Sequence, residues 1–502
     1  MNHHKYPLLY QINTRVLLTR LSQETGRKTT LDDIPDAFLD EMEAKGFDWI
    51  YMLSVWCTGE TGRNVSQHHK AWRQDYENTL PDLQDDDIGG SGFAIADYRV
   101  NPELGGEAAL QRFRAKLHER GMRLMLDFVP NHMGPDHPWV MEHPEYFITG
   151  TEKDLLEHPE NFIRVNSGKK EMIFAYGRDP YFDGWPDTLQ LNYGHTGLQE
   201  AMKEELERIS GWCDGLRCDM AMLVLPEVFE RTWGIQAAPF WQDAIQKVRV
   251  KHPEFIFMAE VYWDMEWTLL QQGFDYVYDK RLYDRLLKDN AAPVRAHLLA
   301  PLDYQREMAR FLENHDEQRA AKEFPPGKHE AAAILTYLTP GLKFFHQGQF
   351  EGKTKRISPH LIRGPREEEN LQIKQFYLKL LEVLNDKAFH EGNWRLLNCV
   401  SIWEGNHSFE NYIAFLWEGP GNQIFLIPVN YSPYQSQCYV KLPEDLFNEG
   451  TWFLKDLFSG VVFERDGLEL RERGLYLDEG GWKYYGFYGK KREERWEMED
   501  ER

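Results

Sequence analysis

Short apolar segments alternate with helical stripes through roughly the first three-quarters of this 502-residue chain. That alternation limits the fold more than any other feature of the sequence. The segments run from Leu8 to Ile12, Phe47 to Val55, Met122 to Val129, Asp214 to Asp219, Phe255 to Val261, Phe274 to Asp279, Met308 to His315 and Leu342 to Gln347. Between them, Leu110, Phe113 and Leu117 recur at the spacing of one helix face, as do Leu198, Met202, Leu206 and Ile209. Strands alternating with helices predict parallel pairing through right-handed crossovers. Eight such units suggest a closed (β/α)8 barrel, a TIM barrel, although a doubly wound open sheet gives a similar periodicity.

Two stretches depart from the alternation. From about Met133 to His195, after the third strand, the chain is rich in Pro, Gly, His and aromatic residues, which predicts an inserted small domain. From about Phe389 onward, NYIAFLW, IFLIPVNY, CYVKL and TWFLKDLF alternate with Gly, Asn and Pro turns, as in an antiparallel β-sandwich. The expected division is a barrel of residues 1–132 and 196–388, an insert of 133–195, a C-terminal sandwich of 389–490 and a solvated charged tail of 491–502.

The balance of 58 Lys and Arg against 81 Asp and Glu gives a net charge of −23. Such a surface disfavours nucleic acid and anionic membranes as partners and accommodates a neutral substrate such as a sugar. The five cysteines, Cys57, Cys213, Cys218, Cys399 and Cys438, form neither a disulfide framework nor a zinc spacing. Neither a leader pattern nor a membrane-length apolar run is visible, so a cytoplasmic location is expected.

Several strand ends carry polar residues that a buried strand does not need. The third ends in DFVPNH, bringing Asp127, Asn131 and His132; the fourth in GLRCD, with Arg217 and Asp219; the fifth in AEV, with Glu260; the seventh in ENHD, with Asn314, His315 and Asp316. In a barrel these ends meet on one rim. Retaining cleavage of a glycosidic bond needs two carboxyl groups about 5–5.5 Å apart, one ionised and one protonated. Arg217 and Asp219, two residues apart on a strand, share a face, so the cation can orient the carboxylate and keep it ionised. Asp219 is therefore the expected nucleophile and Glu260 the expected acid/base. Asp316 and the histidines are placed to grip sugar hydroxyls. A lone Asp at a strand end is ordinarily a helix cap, and a lone Arg–Asp pair a structural ion pair; the inference rests on all four motifs together.

DFVPNH, GLRCDMAML, FMAEVYW and FLENHDEQR resemble, in order and separation, the four signature regions of the α-amylase superfamily of glycoside hydrolases. GFAIADYRVNP, from Gly92 to Pro102, resembles the stretch preceding the first signature, and WPDTLQLN, from Trp185 to Asn192, one late in the family's inserted B domain. The resemblance covers about residues 7–385. It implies Asp219 as nucleophile, Glu260 as acid/base, Asp316 as the third carboxylate, and Arg217, His132 and His315 as substrate-site residues. Asp97 and Asp127 match supporting aspartates, with Asp97 counted among the substrate-site residues. Phe93 stands where many members stack a tyrosine under the sugar. Asn131 matches a calcium-liganding asparagine, whereas Met222 and Leu223 replace the Lys-His pair often found with the usual calcium site. No required cofactor is expected, with calcium at Asn131 the alternative.

The expected activity is hydrolysis of α-linked glucose oligomers or polymers. A transglycosylase or an isomerase of trehalose-synthase type would use the same residues. A catalytically dead binding protein should have lost a carboxylate, and Asp219, Glu260 and Asp316 all remain. Trp56, Trp139, Trp185 and Trp263 are candidate sugar platforms.

Overall fold

In the computed structural model, residues 4–166 and 171–492 are described. Eight parallel strands close on themselves: β1 (Leu8–Asn13), β2 (Trp49–Leu53), β3 (Arg123–Phe128), β4 (Gly215–Cys218), β5 (Ile256–Ala259), β6 (Tyr276–Tyr278), β7 (Met308–Arg310) and β8 (Leu342–His346). Closure is explicit in the register, since β1 pairs with β2 through Leu9 and Trp49 and with β8 through Leu8 and Lys343. This selects the barrel over the open sheet. Each strand falls on an apolar segment expected from the sequence. The seventh ends early, at Arg310 rather than His315. The Asn314 carboxamide oxygen accepts the backbone N–H groups of Asp316 and Glu317, turning the chain out of the strand there.

Local chemistry sets the crossovers. After β1, the Asn13 side chain accepts the Val16 N–H and caps the helix Thr14–Thr25, which stops at Gly26 with φ +69°. In the helix Thr196–Ser210, the stripe of Leu198, Met202, Leu206 and Ile209 is buried against the barrel, as are Leu110, Phe113 and Leu117 of Gly106–Glu119. Fully burying one such Leu is worth about 1.5–3 kcal/mol.

The insert after β3 holds a hairpin of Phe162–Asn166 with Glu171–Ala175, and a short pairing of His132–Met133 with Leu189–Gln190. Its backbone approaches the site closely at Gly177, where an added Cβ would sit 2.8 Å from the His132 Cβ. The C-terminal domain has a six-stranded and a three-stranded antiparallel sheet. In the strand Tyr412–Gly419, Tyr412, Ala414 and Leu416 face the cluster between the two sheets. Ile413, Phe415 and Trp417 pack toward the barrel, where the Trp417 indole N–H donates to the Leu338 carbonyl at 2.7 Å. The short helix Lys387–Glu391 spans the junction. Of the expected charged tail, 493–502 lie outside the described residues.

All five cysteines are free, with Cys213 and Cys218 in the core. Among the described residues, no helix is long and apolar enough to cross a membrane.

Candidate active site

The polar strand ends converge as the barrel requires. Arg217, fully buried near the end of β4, is the hub. Its Nη1 donates to Asp219 Oδ1 at 2.5 Å and its Nη2 to Glu260 Oε2 at 2.8 Å. Asp127 Oδ1 and Asp316 Oδ2 each lie 3.9 Å from the same guanidinium. One cation thus faces four carboxylates drawn from β3, the first residues past β4 and β5, and the loop after β7. Asp219 and Glu260 are bound to opposite arms of a single planar group. Their separation is therefore limited to two hydrogen bonds and the width of a guanidinium.

Burial and charge divide these carboxyls. Burial raises Glu260 to about 8; Arg217 opposes the shift, and the charges of Asp219 and Asp316 add to it. Burial raises Asp219 only to about 6, because Arg217 opposes it by charge and by a direct hydrogen bond. Around neutral pH this environment favours an ionised Asp219 beside a protonated Glu260, and the two titrations belong to the pair. Burial also raises Asp127 to about 6, against Arg217 and hydrogen bonds from the Tyr51 hydroxyl and the Ser54 N–H.

Glu260 is held from three sides. Besides Arg217, Oε2 accepts the Met220 N–H at 2.7 Å, and the Tyr262 hydroxyl donates to Oε1 at 2.8 Å. Met220 adopts left-handed backbone angles, φ 41° and ψ 47°. Ser54, Trp263 and Asp264, near the ends of β2 and β5, also have positive φ. Strain of this kind costs about 1–3 kcal/mol per residue and gathers at sites that position chemistry.

Asp316 is the open member, its side chain 39% exposed, and its Oδ2 lies 3.1 Å from His315 Nε2. Gln11, a buried amide in the apolar strand β1, hydrogen-bonds His315 Nδ1 at 2.9 Å. Burial lowers His315 to about 4, and lowers His132 to about 3 despite its hydrogen bond to the Phe93 backbone. Both rings are neutral at physiological pH. Phe93 stacks on His315 with ring centroids 5.3 Å apart, and its ring centroid lies 5.3 Å from the Arg217 guanidinium carbon. It lies at the site, carrying no hydroxyl.

Asp97 is not drawn into this cluster. It pairs with Arg99 Nε at 2.5 Å on the strand Ile95–Val100, away from the Arg217 hub. Of the four tryptophans, Trp56 is a core residue: it is buried and donates its indole N–H to the Asp127 carbonyl, which positions the strand and leaves no face for a sugar. Trp185 packs 5.2 Å from the His132 ring, Trp263 follows Glu260 by three residues, and Trp139 packs on Tyr146. Tyr51, Tyr262 and Tyr278, whose hydroxyl accepts from Arg217 Nε at 3.2 Å, complete the polar shell. Local sequence marks them weakly: Tyr262 lies two residues past Glu260, and Tyr51 and Tyr278 lie within the second and sixth apolar segments.

A calcium ion would need six to eight oxygen ligands at about 2.3–2.6 Å. Around Asn131 the oxygens are already committed. Gln190 Nε2 donates to Asn131 Oδ1 and Asn131 O, both at 2.9 Å, and to Leu191 O at 3.1 Å. Its Oε1 accepts the Arg178 N–H at 3.3 Å, which fixes the amide's orientation. A neutral carboxamide therefore stands where these oxygens converge, and the donor set does not fit the ion. Among the described residues, the one His/Asp group of metal-binding geometry is His4, Asp48 and His390, at the opposite end of the barrel.

The chain is a closed (β/α)8 barrel with a carboxylate cluster at the C-terminal ends of its strands and an insert after β3. The sequence matches the family description "Alpha amylase, catalytic domain" over residues 76–394. The chain belongs to the α-amylase family. It is 25% identical over 291 residues to α-amylase MalA of Haloarcula japonica, covering 55% of this chain and 38% of that one. It is 28% identical over 232 residues to an α-1,4-glucan:maltose-1-phosphate maltosyltransferase of Bifidobacterium animalis subsp. lactis, covering 45% of this chain and 26% of that one. The match thus spans less than half the length of either relative. In fold, the chain is similar to the maltogenic α-amylase AmyB of Thermotoga neapolitana, with TM-score 0.68 and 18% identity over 96% of this chain and 98% of that one.

Proposed function

We propose that the protein is a retaining glycoside hydrolase that cleaves α-glucosidic bonds in α-glucans or malto-oligosaccharides. The observation that carries this reading is the placement of Asp219 and Glu260 on the two arms of Arg217. An Asp219 oxygen attacks the anomeric carbon while Glu260 gives its proton to the departing glycosidic oxygen. The bond to the leaving sugar breaks and an ester to Asp219 forms. Glu260, now ionised, then takes a proton from water; the water oxygen attacks the anomeric carbon, and the ester breaks to restore Asp219. Asp316, His315 and His132 hold ring hydroxyls, and Phe93 offers an apolar face to sugar C–H groups. Proton NMR of early maltotriose hydrolysis tests the reading. The anomeric centre freed at the cleaved bond should appear first as the α-anomer; its appearance first as the β-anomer would exclude a covalent intermediate at Asp219.

The pH dependence follows from the two carboxyls. Activity needs Asp219 ionised, so it should fall as pH drops below about 6. It needs Glu260 protonated, so it should fall as pH rises above about 8. The expected kcat/KM profile is a bell with both limbs reporting the coupled pair. A profile flat from pH 5 to 9 would contradict this assignment.

We also propose that no calcium is needed at Asn131, since the Gln190 amide substitutes for a cation there. Excess chelator should leave both the thermal midpoint and the activity unchanged. A fall in the midpoint that added calcium restores would overturn this.

Transglycosylation is a second reading, favoured by the likeness to a maltosyltransferase. A sugar would replace water in the second step. Products longer than the starting maltotriose would establish it.

A further inference from the structure

The N-terminal end of the barrel carries a polar cluster that the proposed reaction does not use. It draws His4 from the segment before β1, Asp48 from the residue before β2, and His390 from the helix Lys387–Glu391 at the junction with the C-terminal domain. One ligand atom from each lies within 4.8 Å of the other two. His4 Nδ1 is hydrogen-bonded to Asp48 Oδ1 at 2.7 Å. The His4 and His390 ring centroids are 4.2 Å apart, with the planes tilted by 35°.

His390 supplies the observation that points to a ligand. The residue is 4% exposed, yet its Nδ1 has no hydrogen-bond partner. A buried polar atom left unpaired is costly, and the imidazole nitrogen is the commonest protein ligand for metals. Asp48 is held ready in its turn. Its Oδ2 accepts the Leu8 N–H at 2.8 Å, and its own N–H donates to the Leu8 carbonyl at 2.9 Å, so Oδ1 stays turned toward His4. Hydrogen bonds behind a ligand hold it in this way at metal sites. The other charges acting on His4 are one of each sign, Glu391 and Lys343. The Lys343 ammonium turns to the carbonyls of Tyr6 and Phe389. A cavity of about 260 Å³, lined in part by His4 and Asp48, lies alongside, and the His4 side chain is 35% exposed. An ion and a water molecule therefore have a way in.

We propose that His4, Asp48 and His390 form a binding site for a divalent cation of the zinc class, which clasps the N-terminal segment to the barrel and to the junction helix. The ion takes the place of the proton shared by His4 Nδ1 and Asp48 Oδ1. That proton leaves to solvent, and His4 Nδ1, Asp48 Oδ1 and His390 Nδ1 each give a lone pair. Two imidazoles and one carboxylate suit Zn²⁺ or its neighbours, whereas calcium takes oxygen ligands. Tetrahedral bonds of about 2.0–2.1 Å put ligand atoms about 3.3 Å apart, so the partly exposed His4 ring moves a little away from Asp48 to admit the ion. Water completes the fourth position. With three protein ligands at a solvent-reached edge, the ion is lost on dialysis, and the chelator comparison at Asn131 is made on dialysed protein.

Titration of the metal-free, full-length protein with Co²⁺, a coloured stand-in for Zn²⁺, tests the site. One equivalent should bind with the visible absorption of a four-coordinate nitrogen and oxygen site, and excess Zn²⁺ should bleach it. Zn²⁺ should also raise the thermal midpoint and slow amide exchange at Tyr6 and Leu8. His4→Ala and His390→Ala should each weaken binding by about 100-fold or more, and leave turnover of maltotriose unchanged. His4→Ala, at the exposed edge, serves if the other variant misfolds. Binding that persists in both variants, or no cobalt spectrum at millimolar metal, would overturn the inference. Neither outcome touches the hydrolase reading, whose residues sit at the other end of the barrel.

Discussion

Glu260→Gln is expected to lower turnover of maltotriose by about 10²–10⁴-fold, the usual contribution of a positioned acid/base. The loss should depend on the leaving group. With 4-nitrophenyl α-glucoside the departing phenolate needs no proton, so the first step is spared and the glycosyl-enzyme accumulates as a burst. Azide, which needs no general base, should then restore turnover and yield an α-glycosyl azide. The amide retains shape and can still meet the Met220 N–H and the Tyr262 hydroxyl, so folding should be little affected. Equal losses on both substrates, with no response to azide, would assign Glu260 a structural role instead.

Arg217→Met should damage stability as well as turnover, because it acts on every carboxyl at once. Arg217 is buried and faces four of them. Removing one partner from a buried charge network typically costs about 3–5 kcal/mol, since the remaining charges lose their compensation. The stabilising opposition of Arg217 to the burial of Asp219 would also vanish. The Asp219 carboxyl should then titrate higher and the acid limb of the pH profile should move to higher pH. A fall in kcat of about 10³-fold is expected, the size of loss seen when one preorganised electrostatic donor is removed. Denaturant melts and pH profiles of the variant check both parts. An unchanged acid limb would mean that Arg217 does not set the ionisation of Asp219.

The barrel and its central cluster were legible in the sequence for one reason. Parallel strands expose their C-terminal ends on a common rim, so the polar residues ending β3, β4 and β5 had to meet once eight strands were counted. The pairing of Arg217 with Asp219 followed from their two-residue spacing, whereas its contacts with Glu260, Asp127 and Asp316 come from other strands and had no local signal. Side-chain partners from other strands were harder to read. Tyr278 and Tyr51 look like any buried aromatic in a strand until their hydroxyls are placed against Arg217 and Asp127. Trp56 looked like a platform because it follows a strand, yet its indole is used to hold β3. Asp97 sits in a motif beside the site but turns to Arg99. The β-bridge between Ile88 and Leu361, which joins the loops after β2 and β8, had no sequence signal, because the two residues are 273 positions apart by their numbering and lie in segments without periodicity. Gln190 lies in the WPDTLQLN motif, but nothing there marks an amide that will gather three oxygens.

A mechanism-based label gives the most direct test of the whole account. A 5-fluoro-α-glucosyl fluoride slows release of the glycosyl-enzyme, and peptide mapping by mass spectrometry then locates the attached sugar. The predicted result is a single modified peptide spanning residues 215–223 with the ester on Asp219, formed by the native enzyme and absent in Asp219→Asn. A sugar found on any other residue, or stoichiometric inactivation of Asp219→Asn, would contradict it.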